Sequence, residues 1–350
     1  MAELNYMREA DILRLLDNPN TLPTIEWTDI ATVHDDRRAL LVTSPSAETQ
    51  FGNLSHNFNF SDHRMITGGD AEYIDHLIKD KPDTSVMYAV GGGRVIDIAR
   101  LLASRWEMEV TAIPTIISTD ALFVKSTGVR ENGCVHYVRS KRADRVLLDW
   151  NLLRLSPQTL NAGGCCDVLS IYTAPWDWNL TETRQAWKKP NEHYTPLVAE
   201  QAAGILNYLL SHADEIRAMS YAGLESIVRS LAMEVELCNV HGNSRCEEGG
   251  EHFFAYALEP HLPHTTHGEL VGLGILVTAY MQGQPWQNMR EFMDTIGMSY
   301  RPKGISEQRI TQTLKIMQAY VTQHNLRYSI WNEYIYNESA SQEFLRTINL

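Results

Sequence analysis

A short apolar run that ends in three consecutive glycines and passes at once into a helix-patterned segment leaves a chain few choices of fold. Here Ser85-Val86-Met87-Tyr88-Ala89-Val90 reads as a buried strand, runs straight into Gly91-Gly92-Gly93, and gives way to helical spacing from Val95 to Trp106. Glycines let the backbone approach a phosphate closely, and the following helix aims free N–H groups and its positive dipole end at the anion. The pattern is GGGxxxD, ending in Asp97, and it lacks the GxGxxG spacing of the common dinucleotide fingerprint. Taken alone it serves equally well as a tight strand-to-helix turn.

The neighbouring segments repeat the alternation. Ala39 to Thr43 and Glu109 to Ile113 read as strands, the second stopped by Pro114, and Ala71 to Lys79 reads as a helix. Such alternation implies a parallel sheet with helices on both faces. Cys134 to Val138 and Val146 to Leu148 are expected to form a further strand pair. The opening MAELNYMREADILRLL carries Glu3, Arg8, Glu9 and Asp11 and reads as an amphipathic helix, not a signal peptide. Near Ser156-Pro157, a serine cap followed by proline at a first helical position, the character changes. Helices are then expected over Pro196 to Ser220, Leu224 to Asn239, Gly249 to Glu259, His267 to Gln282, Asn288 to Ile296 and Ser306 to Asn325. The expected organisation is an α/β Rossmann-like nucleotide domain over 1–155 and an all-α metal-binding domain over 156–350.

A length of 350 residues suits two cores better than one. The formal net charge of −13 would repel a polyanion, so nucleic acid is not an expected partner. The five cysteines, Cys134, Cys165, Cys166, Cys238 and Cys246, show no CxxC spacing. Neither a disulfide framework nor a thiolate zinc site is expected, and a reducing cytoplasm fits. The most apolar stretch, Leu270 to Tyr280, falls short of the roughly 20 residues that a membrane span needs.

Three residues stand out as candidate metal ligands: Asp167 in AGGCCDVLS, His252 in GGEHFFAYALE and His267 in HTTHGELVGLG. One carboxylate and two imidazoles suit Zn²⁺, Fe²⁺ or Ni²⁺ and leave positions open for substrate or water. Among 13 histidines, spacing alone leaves His264 and His241 as rivals.

Six motifs in order carry a resemblance. Gly91-Gly92-Gly93 with Asp97, PTIISTD ending at Asp120, AGGCCD ending at Asp167, Asp177-Trp178-Asn179-Leu180, and EHFFAYAL followed by HGEL together resemble the glycerol dehydrogenase and dehydroquinate synthase superfamily. Within it, the sn-glycerol-1-phosphate dehydrogenase branch is the most similar. The resemblance implies a dehydroquinate synthase-like fold, NAD(P)(H) bound in the cleft between two domains, and a divalent metal, zinc before iron or nickel, on Asp167, His252 and His267. It implies that Gly91, Gly92 and Gly93 hold the pyrophosphate, with Asp97, Thr115, Ser118, Thr119 and Thr127 around the cofactor and Asp120 facing substrate hydroxyls. The expected activity is metal-dependent interconversion of a small polyol and its ketone, dihydroxyacetone phosphate being the leading candidate, in a cytoplasmic homo-oligomer.

Departures from the family point to a re-cut pocket. Ile171 stands where relatives often have lysine, Tyr256 replaces a second histidine, and Ser126 replaces the lysine of a KTGV segment in Ser126-Thr127-Gly128-Val129. Phe123 and Val124 are expected to narrow the pocket, Lys125 or Arg130 to meet a phosphate, and His264, a bound water or the cofactor ribose to relay a proton. Ser44, where NAD-selective glycerol dehydrogenases tend to have aspartate, suggests that NADPH is tolerated. A sugar-phosphate cyclase of the dehydroquinate synthase type and an inactive scaffold are the alternative readings.

Overall fold

The computed structural model describes residues 21–262 and 264–348, so the amphipathic helix expected at the N-terminus lies outside the described residues. The strands in chain order are β1 (Thr24–Trp27), β2 (Asp35–Thr43), β3 (Phe58–Met65), β4 (Val86–Gly91), β5 (Glu109–Pro114), β6 (Ser126–Glu131), β7 (Cys134–Arg139) and β8 (Arg145–Leu148). Six of them form one sheet in the order β1-β8-β5-β4-β2-β3, every pair parallel. Strand β4, nearly all of β5 and the second half of β2 are buried without alternation because both faces are covered. The edge strands β1 and β3 are half exposed and carry polar residues, and sequence pattern alone does not mark them.

Helices α1 (Pro45–Phe51), α2 (Ala71–Ile78) and α3 (Gly93–Trp106) lie between these strands. After Leu148 the described residues contain helices and connecting segments but no strand. In order they are α4 (Trp150–Leu153), α5 (Gln158–Ala162), α6 (Cys165–Leu169), α7 (Ala174–Thr183), α8 (Pro196–Leu210), α9 (Ala213–Arg217), α10 (Tyr221–His241), α11 (Gly250–Leu258), α12 (His267–Met281), α13 (Gln287–Ile296), α14 (Glu307–Gln323), α15 (Ile330–Glu333) and α16 (Glu338–Ile348). Helix α12 is buried along almost its whole length, which explains its uniformly apolar sequence.

Three expectations need correction. Strand β7 pairs antiparallel with β6, not with Val146–Leu148, through a turn at Asn132 and Gly133 whose φ angles are 52° and 74°. Asn-Gly at a two-residue hairpin turn supplies the positive φ that the strand twist requires, so the signal was present in the sequence. Val146–Leu148 instead fills β8, between β1 and β5. The segment expected as one helix over Pro196–Ser220 breaks into α8 and α9 around Ser211-His212. Near the expected domain boundary, Ser156 does not cap a helix. Its hydroxyl donates to the Thr115 carbonyl at 2.9 Å, and α5 begins at Gln158.

Gly91 and Pro114 sit side by side at the carboxyl ends of β4 and β5. That sheet edge is where ligands of open α/β folds bind, and here the helices carrying Asp167, His252 and His267 face it.

Candidate functional site

The glycine turn forms one wall of a cleft of about 890 Å³. Gly92 occupies the N-cap of α3, on the cleft wall, and makes no side-chain cap bond to the first-turn N–H groups. A Cβ at Gly92 would lie 2.8 Å from Ile116 Cδ1, and one at Gly93 would lie 2.6 Å from Thr119 Oγ1. Both glycines therefore reflect close approach. Ser118 Oγ accepts the Gly93 N–H at 3.3 Å and lines the cleft with Thr115, Thr119 and Ser44. Gly91 is buried behind this wall, its carbonyl accepting the Thr115 N–H at 3.1 Å. Ser44 caps α1 by accepting the Ala47 N–H at 3.4 Å. Gly92→Val is expected to weaken NAD(P)H binding at least tenfold, because the branched side chain meets Ile116 and fills the approach to the backbone. Calorimetric titration measures this, and unchanged affinity would remove the turn from the cofactor site.

Asp97 lines the cleft but is committed to an ion pair with the fully buried Arg100. Arg100 also donates to the carbonyls of Val124, Ser126 and Lys141. The Asp97–Arg100 pair thus fastens α3 to the β6–β7 hairpin. Thr127 belongs to the same fastening: it is buried, and its hydroxyl donates to the Asp97 carbonyl at 3.0 Å and lies 3.1 Å from Ser140 Oγ. Its side chain is not on the cleft wall, contrary to expectation. Phe123 is likewise fully buried in the core, whereas Val124 does line the cleft.

Across the cleft stand the three candidate ligands. His267 Nε2 lies 3.1 Å and His252 Nε2 3.6 Å from the same oxygen, Asp167 Oδ1. Close-packed glycines make this convergence sterically feasible. A Cβ at Gly164 would lie 2.3 Å from the Ile117 carbonyl oxygen, one at Gly268 2.7 Å from that of Gly163, and one at Gly274 2.3 Å from that of Glu251. The glycines of AGGCCD and HGEL therefore press α6 and α12 against each other and against the segment after β5. The other Asp167 oxygen accepts the backbone N–H of Asp120 at 3.0 Å, which ties the sheet edge to the helical wall. Thr119 caps the short 3-10 helix at Asp120, accepting the Ala121 N–H at 3.2 Å.

The local field favours positive charge. Burial raises the Asp167 carboxyl, but the imidazoles of His252 and His267 outweigh it and hold the group below the ordinary carboxylate range. Burial depresses the His252 imidazole, yet Asp167 and Glu251 outweigh that and pull it up. One carboxylate oxygen and two imidazole nitrogens in such a field suit a divalent transition metal. Burial, then the facing charges of Asp167 and Asp97, push the Asp120 carboxyl well above its usual range.

Two supporting roles escaped sequence reasoning. Glu251 is fully buried and holds His252 Nδ1 at 3.0 Å, leaving Nε2 to face Asp167. It is itself held by Thr173 Oγ1 at 2.7 Å. A carboxylate behind a ligating histidine fixes its ring and tautomer. Asp177 of the DWNL motif accepts the N–H groups of Gly250 at 2.8 Å and Ile330 at 2.7 Å, so it seats the start of the helix that carries His252. Asp177→Ala orphans two buried donors at about 1–3 kcal/mol each and is expected to lower stability by about 3 kcal/mol. Denaturant melts test this, and a loss below 1 kcal/mol would contradict the anchoring role.

The remaining wall joins Tyr137, Tyr256, Glu247, Glu248 and Arg327. Tyr256 donates to Glu248 Oε1 at 2.9 Å, its hydroxyl lies 2.9 Å from that of Tyr137, and Arg327 reaches Glu248 Oε2 at 3.2 Å. They come from β7, from the stretch 247–256 that includes the EHFFAYAL motif, and from the segment after α14. Arg130 lines the cleft but pairs with Glu259 at 3.0 Å. Lys125 and Arg94 line it without an ion pair among the described residues. His264 is exposed and off the cleft wall, and the His241 ring packs against Trp178 at 5.1 Å. Neither joins the three ligands, and His264 is not placed as a proton relay. Ile171 is buried in the core.

Comparison with known proteins agrees with this architecture. The family model for iron-containing alcohol dehydrogenases matches residues 34–143. The chain is 27% identical over 259 residues to the glycerol-1-phosphate dehydrogenase [NAD(P)+] of Methanosphaera stadtmanae, covering 73% of this chain and 71% of that protein. It is 28% identical over 283 residues to the enzyme of the same name from Methanospirillum hungatei, covering 79% and 77%. Among solved structures, a probable glycerol dehydrogenase from Sinorhizobium meliloti superposes with TM-score 0.64 at 16% identity, covering 98% of this chain and 94% of that one. A 2-epi-5-epi-valiolone synthase from Streptomyces hygroscopicus with NAD+ and Zn2+ bound superposes with TM-score 0.62 at 16% identity, covering 93% and 96%. These likenesses show the dehydroquinate synthase-like fold. With the ordered motifs, the sequence relatives make the chain similar to the glycerol dehydrogenase and dehydroquinate synthase superfamily, and over residues 34–143 to the iron-containing alcohol dehydrogenases.

Proposed function

We propose that the protein is a metal-dependent NAD(P)-linked dehydrogenase that interconverts a compact polyol and its ketone, with dihydroxyacetone phosphate as the leading ketone. The observation that carries this reading is the single cleft that joins the glycine turn to Asp167, His252, His267 and Asp120. We place the division between an NAD(P)-binding and a metal-binding domain near residue 155, just beyond the last strand. When bound, a divalent metal supplies Lewis acidity to a substrate oxygen, and the nicotinamide carries the hydride.

The chain's own residues do the positioning. Asp167, His252 and His267 would hold the metal, with zinc suited to this donor set, and Glu251 fixes the His252 ring. Gly92, Gly93 and the first turn of α3 would receive the pyrophosphate. Asp120 would orient a neighbouring hydroxyl on the opposite side of the substrate. Lys125 and Arg94 are the wall cations left to meet a phosphate, since Arg130 is already paired with Glu259. Ser44 presents no carboxylate to repel a 2′-phosphate, which supports use of NADPH. The relatives named glycerol-1-phosphate dehydrogenase [NAD(P)+] support the same substrate and cofactor choice. The free cysteines suit a reducing cytoplasm, where the protein is expected to act as a homo-oligomer.

The deciding experiment follows nicotinamide absorbance with dihydroxyacetone, its phosphate and larger ketones, in chelator-treated protein reloaded with Zn²⁺, Fe²⁺ or Ni²⁺. Metal-dependent net oxidation of NAD(P)H by the triose phosphate is expected. Turnover without net NAD(P)H consumption would identify a cyclase, and absence of bound metal and cofactor would identify a scaffold.

A further inference from the structure

Outside this cleft, a second set of metal-binding side chains converges at the seam between the β6–β7 hairpin and α14. Cys134 Sγ, one ring nitrogen of His136 and one of His324 all lie within 4.8 Å of one another. Cys134 and His136 stand two residues apart on β7, so they share one face of the strand. His324 is the C-cap residue of α14. The two elements are already docked: Tyr320, one turn before His324, donates its hydroxyl to the Gly133 carbonyl at 3.0 Å and packs on the His324 ring at 4.4 Å.

We propose that Cys134, His136 and His324 form a second transition-metal site, selective for a thiophilic divalent ion such as Zn²⁺ and with one coordination position left for water or another small ligand. The donor chemistry is that of zinc sites, one thiolate and two neutral imidazoles. With metal–sulfur and metal–nitrogen distances of about 2.3 and 2.0–2.1 Å, tetrahedral ligands stand about 3.3–3.6 Å apart. Donor atoms that already lie within 4.8 Å of one another close to that by side-chain movements of at most about 1.5 Å. Cys134 is buried while both histidines are half exposed, so the thiol is shielded and the ion retains a path from solvent. Binding displaces the thiol proton to solvent and changes no oxidation state. The hairpin also carries Ser126, Gly128, Arg130 and Tyr137 of the cleft wall, so an ion here would staple that wall to the helical part of the chain.

The test counts metal per chain by elemental analysis after chelation, reloading with Zn²⁺ or Co²⁺ and removal of excess ion. Two ions are expected in the parent, and one in His324→Ala and in Cys134→Ser. The half-exposed His324 makes the first variant the safer in folding, and circular dichroism verifies both. The Co²⁺ form should show a thiolate-to-cobalt charge-transfer band that is lost in Cys134→Ser. The band should persist in Cys166→Ser, which controls for the thiol 3.2 Å from Asp167 Oδ1. A single ion that disappears with His267→Ala, no charge-transfer band, or an unchanged count in both His324→Ala and Cys134→Ser would each overturn the proposal.

Discussion

His267→Ala is expected to empty the cleft metal site and lower turnover by about 10³-fold or more, with the helical fold retained. The side chain is 27% exposed on the cleft wall, so its removal leaves no sealed cavity in the core. Its Nε2 shares Asp167 Oδ1 with His252, and loss of one of three donors costs the ion a full coordination bond. Polarisation of a substrate oxygen is worth several kcal/mol, and each 1.36 kcal/mol is about tenfold in rate. His252→Ala should have the same effect on turnover but a larger one on stability. It leaves the buried Glu251 carboxylate without its imidazole partner, though Thr173 and the Gly249 N–H remain. Elemental analysis and circular dichroism on both variants separate the two effects. Full metal occupancy of the cleft in both would sink the assignment of these histidines.

How much of this was legible in the sequence differs by element. The second half of β2 and strands β4 and β5 are largely apolar runs bounded by turns, and such runs can only be buried strands or buried helices. Their short length and the glycines and proline after them decide for strands. The edge strands escape the same test because Thr24–Trp27 is four residues long and Phe58–Met65 is half polar where it faces solvent. The β6–β7 hairpin was legible at Asn132-Gly133, and an expected pairing with Val146–Leu148 displaced it. The candidate metal ligands were only partly legible. Spacing leaves His241 and His264 as good as His252 and His267, and only the ordered motifs separate them. Periodicity says nothing about Glu251, whose role follows from the orientation of its neighbour, or about Cys134, His136 and His324, which meet across 190 positions of chain from first to last. Conversely, Thr127 fits a family motif, yet the fold spends its hydroxyl on Asp97 and Ser140, a competition between local hydrogen bonds that no motif records.

Asp120→Ala is expected to lower kcat and raise KM together, about 10²-fold in kcat/KM, with the metal still bound. Asp120 follows β5 and the Pro114-Thr115 turn, at the sheet edge where the nicotinamide end of a dinucleotide would lie. Its backbone N–H is held by Asp167, which fixes the Asp120 main chain beside the candidate ligands. A compact hydroxy-ketone can bridge the two, with one oxygen toward the ligands and its neighbouring hydroxyl on Asp120. Losing the second contact weakens binding and also frees the reacting carbon to rotate away from the nicotinamide, and misplacement of about 1 Å costs on the order of 10²-fold in rate. An interaction used in both the bound and the transition state appears in KM and in kcat, which distinguishes it from one made in the transition state alone. Because the Asp120 N–H bond to Asp167 is a backbone contact, alanine preserves it, and metal content serves as the control. Asp120→Asn keeps a polar group of the same shape and should recover part of the KM effect. Parent-like kinetics in the alanine variant would remove Asp120 from the substrate site. Loss of metal in that variant would show instead that its carboxyl supports the ligands and not the substrate.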